Sequence, residues 1–450
     1  MGRKRAIIIG ASIGGSLSAM AVSPYFDEVL LIEREKLVEN GEARKGVPQG
    51  RQAHALLGIG RDLISGFIPD FPEQLRQAGC SEVDQCLQLP NFTSSGWRAR
   101  TASSITSFGF RRPLLEMVIR SNLNRFANCK IINATGKSLV ADDEAKAILG
   151  VSLSDGSVVA GDLVIDASGR GSQSPRWLEQ LGYPVPDEQH VSCFMGYASQ
   201  LVHLPKDVLE PGTAGLVAMP YPGHHRGGLI IPIDNGMHMI TAAGMMRDYP
   251  PLEQEGLLDY LDGASTPLLG KVARASEPLS NIAGYRMESS RLRRWHLLDR
   301  RPSGFIATGD AVASFNPFYG QGITISAKGA AVLRNCLATS EDDLSLPGRF
   351  QSAFAHFVEL AFSVSGMADS LYDGAELKNV APPELDQFAY LGTLSEMAAE
   401  DPEVSVALVA AHFNMEAQGL FTDRMRAKVS TWSQATHARA VDTNNIPAPV

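Results

Sequence analysis

Gly309-Asp310-Ala311-Val312-Ala313-Ser314-Phe315-Asn316-Pro317-Phe318-Tyr319-Gly320-Gln321-Gly322 follows the apolar run Phe305–Thr308 and leads into a helical pattern that lasts to about Leu337. A strand, a glycine-rich turn and a helix in that order form a phosphate- or cofactor-binding element. The chain has a second such element near its start, where Ala6-Ile7-Ile8-Ile9 runs into Gly10-Ala11-Ser12-Ile13-Gly14-Gly15. Two turns about three hundred residues apart imply one large cofactor gripped at both ends, and FAD is the candidate.

The first turn departs from the G-x-G-x-x-G pattern because Ser12 stands at the second glycine position. Serine is small enough to let backbone approach a pyrophosphate, and its hydroxyl adds a hydrogen-bonding group. Gly10 permits the tight turn, Gly14 keeps the helix start bare, and Gly15 lets helix and strand pack closely. The helix that begins here aims free N–H groups and its positive dipole end at phosphate. A second strand, Glu28–Ile32, ends at Glu33 and Arg34, eighteen residues beyond Gly15. A carboxylate there accepts adenosine ribose hydroxyls and favours FAD or NAD over NADP. In the other turn, Asp310 projects from a strand's carboxyl end and suits a ribityl or ribose hydroxyl. Pro317, Gly320, Gln321 and Gly322 open a helix whose dipole favours the negative charge of a reduced flavin by about 1 kcal/mol.

Composition is that of a globular protein: 44% hydrophobic and 20% charged residues in 450. Asp+Glu outnumber Lys+Arg, 49 to 40, for a net charge of −9, and the longest basic run is Arg3-Lys4-Arg5. No nucleic-acid partner is expected. The five cysteines lack CxxC spacing and read as reduced thiols of a cytoplasmic protein. His224-His225 have no metal-spaced partners, so no metal is expected, and no apolar stretch reaches the length of a membrane span.

The expected fold class is α/β, with a discontinuous Rossmann-like FAD-binding domain at 1–80, 100–182 and 275–345. A β-sheet substrate domain (81–99 and 183–274) is inserted, followed by a C-terminal helical region (346–430) and a flexible tail (431–450). Gly41–Arg51 reads as a loop, Ala53–Phe67 and Arg112–Phe126 as amphipathic helices, and Ser154-Asp155-Gly156 as a hairpin turn. The insert alternates apolar residues along short strands; Met219, Ile231 and Met239 are candidate substrate contacts.

In motif order from Ala6 to about Leu337, the chain resembles the class A FAD-dependent monooxygenases of the para-hydroxybenzoate hydroxylase superfamily. Gly46-Val47-Pro48-Gln49-Gly50-Arg51-Gln52-Ala53-His54-Ala55-Leu56-Leu57 and Asn316–Gly322 resemble a bacterial subgroup of epoxidases and hydroxylases acting on natural products. The resemblance implies that Arg112, in Arg-Pro-Leu-Leu-Glu, contacts the FAD pyrophosphate and ribityl region. It also implies that Asp166 anchors the cofactor. The family's central Asp-Gly motif reads Asp166-Ala167-Ser168-Gly169-Arg170 here, with two residues interposed. His54 is the candidate catalytic side chain, placed near the isoalloxazine.

The implied reaction uses NADH or NADPH, directly or through a partner flavin reductase, and O2. One oxygen atom passes through a flavin C4a-hydroperoxide into a lipophilic small molecule, by epoxidation or hydroxylation. Three alternatives share the turns: a reductase of isoprenoid-type double bonds, a flavin halogenase and a non-catalytic flavoprotein. The halogenase's Trp-x-Trp-x-Ile-Pro sequence is absent, and no lysine lies between Lys45 and Lys130.

Overall fold

A computed structural model describes residues 4–37, 48–339, 344–382, 385–435 and 442–450. Most of the Gly41–Arg51 loop, including Gly46 and Val47, lies outside the described residues.

Five parallel strands form the sheet of Rossmann type, in the order Phe305–Ala307, Leu163–Asp166, Arg5–Ile9, Glu28–Glu33, Cys129–Asn133. Ile7 and Ile8 are fully buried in the middle of this sheet, as a continuous apolar strand covered on both faces must be. The first two strands and the helix Ile13–Val22 complete the expected βαβ opening. One face packs on that helix, which crosses Gln321–Ala338 through small residues: a Cβ on Gly14 would stand 3.5 Å from Ser326 Oγ. Leu139, Ile148 and Val151, from the antiparallel meander Gly136–Ala141, Ile148–Leu153 and Val158–Ala160, belong to the same core. The expected hairpin at Ser154–Gly156 is in this meander.

The second sheet has ten strands. Its main path runs Ala313–Ser314, Ala283–Arg293, Glu188–His203, His238–Gly244, Arg226–Pro232, Leu216–Ala218, Asn91–Thr93, Gly96–Trp97. Period-two alternation divides its faces. Ala198, Ile230, Ile240 and Ala242 meet helices Gln254–Asp262 and Leu268–Ala275. The odd-numbered Tyr197, Leu229, Ile231, Thr241 and Ala243 face a cavity. The strand Ala283–Arg293 pairs with Glu188–His203, so a segment expected with the nucleotide sheet belongs to this one.

Three further departures bear on the site. Ala53–Phe67 is a short strand, Ala53–Ala55, paired with Thr106–Arg111, before a helix at Gly58–Ser65. Leu56 and Leu63 supply apolar spacing only from Leu56 onward. The helix from Arg112 ends at Ser121 and continues as a tighter turn, Asn122–Arg125. The tail expected to be loose begins in the last helix, Asp423–Ala435, and its described end is seated. Ile446 is buried, Val450 N donates to Arg100 O (2.8 Å) and Arg100 Nη1 to Pro447 O (3.1 Å). No described helix is long and apolar enough to cross a membrane.

Candidate active site

One cavity of about 1000 Å3 runs from the carboxyl ends of the parallel strands to the inner face of the ten-stranded sheet. At its first end Gly10, Ser12, Gly14, Glu33 and Arg34 form the wall. Gly10 has φ +102°, and a Cβ there would lie 2.6 Å from Ala167 O, so the turn and the loop after Leu163–Asp166 touch through a bare backbone. Gly15 sits behind the wall; its Cβ would meet Gly10 O at 1.9 Å. Glu33 is buried and accepts from Ala11 N (3.0 Å) and Glu35 N (3.1 Å), which fixes its carboxylate at the strand end.

Ser12 is engaged inside the protein. Its hydroxyl donates to Glu116 Oε1 at 2.6 Å, and Arg112 Nε donates to the same oxygen at 3.1 Å. Arg112 Nη2 also reaches Ser12 Oγ, at 3.4 Å. Ser12 therefore joins the first turn to Arg112, which lines the cavity. Glu116 is buried and has no role in the sequence reading, although its spacing of four from Arg112 on a helix was the available signal.

Asp166 is fully buried and is not among the residues that line the cavity. Its carboxylate is satisfied by the hydroxyls of Ser168 (2.5 Å), Ser172 (2.5 Å) and Ser174 (2.6 Å) and by Ser168 N (3.0 Å). It braces the loop whose members Ala167 to Gly171 form the wall.

At the second turn, Asp310, Pro317, Gly320, Gln321 and Gly322 all line the cavity. Burial raises the Asp310 carboxyl above its ordinary value, opposed by the charges of Arg112, Arg170 and Arg291. Gly320 takes φ +64° and starts the helix Gln321–Ala338, leaving that helix's first N–H groups without intrahelical acceptors. Thr308 Oγ1 and Gln321 Oε1, both buried and both on residues of the wall, have no hydrogen-bond partner among the described residues. Unspent polar atoms, a bare glycine backbone and two helix N-termini along one cavity fit a long nucleotide cofactor.

His54 lies on the same wall, between the two ends. Its Nδ1 is 2.9 Å from Gln52 O, an acceptor, so the ring carries its proton on Nδ1 and offers Nε2 as an acceptor. Burial, then the charge of Arg112, pushes its pKa down to about 4. Next to it Gln52 donates to Ala283 O (3.0 Å) and accepts from Ser199 (2.6 Å), tying the short strand to the large sheet.

Beyond His54 the wall turns apolar, with Met219, Ile231, Leu229, Val409 and Phe413. Met239 is not on it; it packs in a buried cluster with Val83, Leu89 and Ile233. The helix Pro402–Asn414 contributes Leu408, Val409, His412 and Phe413, a wall that periodicity alone did not assign to the site. Behind the second turn is a buried polar cluster missed from sequence: Asp369 Oδ1 accepts from Asn316 Nδ2 (2.9 Å) and Tyr319 OH (3.0 Å). Among the described residues no group of three or more His, Cys, Asp or Glu is arranged to hold a metal ion.

No protein-family model matches the chain. It is 29% identical over 348 residues to Protein Rv3254 of Mycobacterium tuberculosis, covering 74% of this chain and 73% of that protein. It is 25% identical over 218 residues to the chloroplastic zeaxanthin epoxidase of Nicotiana plumbaginifolia, covering 46% and 30%. Among solved structures, the flavin-dependent brominase Bmp2 matches with TM-score 0.66 at 14% identity over 95% of this chain and 98% of its own. PqsL of Pseudomonas aeruginosa in complex with 2-aminobenzoylacetate matches with TM-score 0.63 at 17% identity over 82% and 97%. 2-Methyl-3-hydroxypyridine-5-carboxylic acid oxygenase matches with TM-score 0.63 at 15% identity over 92% and 96%.

Proposed function

We propose that this chain, whose fold is that of the FAD-dependent monooxygenases of the para-hydroxybenzoate hydroxylase type, is itself such an enzyme. In this reading it takes electrons from NADH or NADPH, directly or through a reductase, and puts one atom of O2 into a lipophilic small molecule. The supporting observation is the single cavity that joins the Gly10–Gly15 turn, the Gln321 helix N-terminus and the apolar chamber.

Gly10, Gly14 and the first N–H groups of Ile13–Val22 would receive the pyrophosphate, Glu33 the adenosine ribose, and Asp310 a hydroxyl of the ribityl chain. The N-terminus of Gln321–Ala338 would face the edge of the ring that becomes anionic on reduction. The bound flavin supplies the two-electron chemistry that activates oxygen. The protein's part is to align the substrate and keep water out, which the apolar wall of Met219, Ile231, Val409 and Phe413 serves.

Epoxidation suits this wall better than phenol hydroxylation. The carboxylates on the described wall, Glu33, Glu35 and Asp310, belong to the two nucleotide-binding ends, leaving none in the apolar chamber to deprotonate a phenol. A lysine, which halogenation by a flavin enzyme would call for, is absent from the described wall. The test is purification as a yellow protein that releases FAD, then NAD(P)H-driven turnover of a panel of lipophilic alkenes under 18O2. One labelled atom in the product is expected. Flavin binding with product formed under strict anaerobiosis would replace this reading with a reductase; absence of flavin would remove it altogether.

A further inference from the structure

Two arginines two residues apart meet opposite conditions. Arg100 is buried, but its guanidinium donates to Leu87 O (3.1 and 3.0 Å), Pro447 O (3.1 Å) and Thr213 Oγ1 (3.2 Å), with Glu210 at 3.9 Å. Arg98 lines the cavity. Its backbone N–H is used, donating to Asn91 O at 3.0 Å. Its guanidinium has no hydrogen bond and no ion pair with any described residue, and Nε is sealed from solvent. Of the other arginines on or beside this cavity, Arg112 is engaged with Glu116, Arg170 with Ser314 Oγ and Ser289 O, and Arg111 with Asp234, while Arg34 is exposed at the nucleotide end, where solvent serves it.

A partly desolvated cation with no counter-charge is an expensive feature, tolerated where a ligand supplies the anion. Titratable neighbours do not relieve it. Cys86 is a buried thiol whose pKa burial raises, and His412 is pushed down to about 4 by burial and then by Arg98 itself, so both are neutral. The place of Arg98 also argues for substrate rather than nucleotide. It follows the strand Gly96–Trp97, the last on the main path of the ten-stranded sheet, whereas Ala313–Ser314, which leads into the Asn316–Gly322 turn, is the first. Apolar side chains of the cavity wall, Phe92, Val409 and Phe413 among them, lie on elements next to it.

We propose that Arg98 anchors a carboxylate, so that the substrate is a lipophilic acid held head-first at this sheet edge with its apolar body directed toward the Gln321 helix. The planar guanidinium fork matches a carboxylate in two parallel hydrogen bonds, which a phenol or an alcohol does not reproduce. This substrate class rests on the monooxygenase reading, but its binding test does not require turnover.

Calorimetric titration of the holoenzyme with isosteric pairs, octanoate against octanamide and naphthalene carboxylate against its amide, decides it. The acids are expected to bind about tenfold tighter than the amides or better, as a charge-assisted pair does over a neutral one. Arg98→Gln and Arg98→Met should erase that preference, and Arg98→Lys should keep part of it. Both neutral variants should retain FAD and unfold at a higher temperature than the ligand-free wild type, because a half-buried charge without a counter-charge is gone; an arginine with a merely structural role would give the opposite shift. Equal binding of acid and amide by the wild type, an intact preference in both neutral variants, or no binding of any acid up to its solubility limit overturns the proposal. Phenols of the same skeletons form the third arm: if they bind tighter than the acids, the head group is a phenolate and the carboxylate assignment fails. Acid preference without 18O incorporation would sink the oxygenation reading alone, and oxygenation of neutral alkenes without acid preference would sink this one alone.

Discussion

Asp369 lies fully buried, with Asn316 and Tyr319 both donating to Oδ1 and no hydrogen-bond partner for Oδ2 among the described residues. Burial pushes its pKa from 3.8 up to about 6, against the lowering effect of its donors. The sign follows: between those values the folded state holds the proton more tightly than the unfolded chain. The stability it contributes is complete below about pH 4 and is lost as pH rises through 6. Asp369→Asn keeps an acceptor for both donors and cannot ionise. Its urea stability should match that of the wild type near pH 4 and exceed it at pH 8, by on the order of 2 kcal/mol. Parallel pH profiles for the two proteins would refute the assignment. Asp310, by contrast, lies within reach of the charges of Arg112, Arg170 and Arg291, which oppose the effect of its burial. Asp310→Ala should fold yet purify without flavin; full FAD occupancy, read from absorbance after denaturation, would contradict its role.

At the scale of elements, the first turn depends on backbone touching backbone. Gly10→Ala places a methyl 2.6 Å from Ala167 O at φ +102°, where both the contact and the dihedral resist a side chain. About 2 kcal/mol of stability should be lost together with FAD binding, measured by urea denaturation and flavin content; a variant that stays yellow and equally stable would show that the turn can open. This turn, the βαβ unit, the Ser154–Gly156 hairpin and the Gly309–Gly322 element were legible because each is local: a few apolar residues, a glycine at positive φ and a helix start lie side by side in sequence. The strand Glu188–His203 was harder to read. Its register shifts between Ser192 and Met195 at Phe194 (φ 44°), which breaks the alternation, and its partner Ala283–Arg293 is far along the chain. His54 was read onto a helix because its strand is three residues long and defined only by pairing with Thr106–Arg111. Arg98 and Asp369 carry no local mark at all. What distinguishes them is the absence of a partner for all or part of a polar group, a property of the folded surroundings.

For the whole molecule, the C-terminal helices complete the chamber. Helix Pro402–Asn414 is capped by Asp401, whose carboxylate accepts from Glu403 N (2.9 Å) and Val404 N (3.3 Å). Ser405 Oγ donates to Ala99 O (2.9 Å) and Ala99 N to Ala398 O (2.7 Å), so these helices are fastened to the segment that carries Arg98. Leu394, Met397, Val404, Leu420 and Met425 hold them together as one buried cluster. The consequence is that water exclusion over the substrate end depends on a region remote in sequence from both nucleotide-binding turns. Phe413 is buried and on the cavity wall, and its ring meets His412 edge-on at 5.5 Å. Phe413→Asp puts a hydrated carboxylate into that wall and into competition for Arg98. The variant should keep its FAD, because Gly10, Glu33, Asp310 and Gly322 are untouched, and should lose affinity for octanoate. If the wall keeps the reaction dry, a larger share of the NAD(P)H consumed should appear as hydrogen peroxide instead of oxygenated product. Peroxide yield per reducing equivalent, measured beside flavin content, gives the answer. An unchanged yield in a protein that still holds FAD would mean that the C-terminal helices cover the chamber without sealing it.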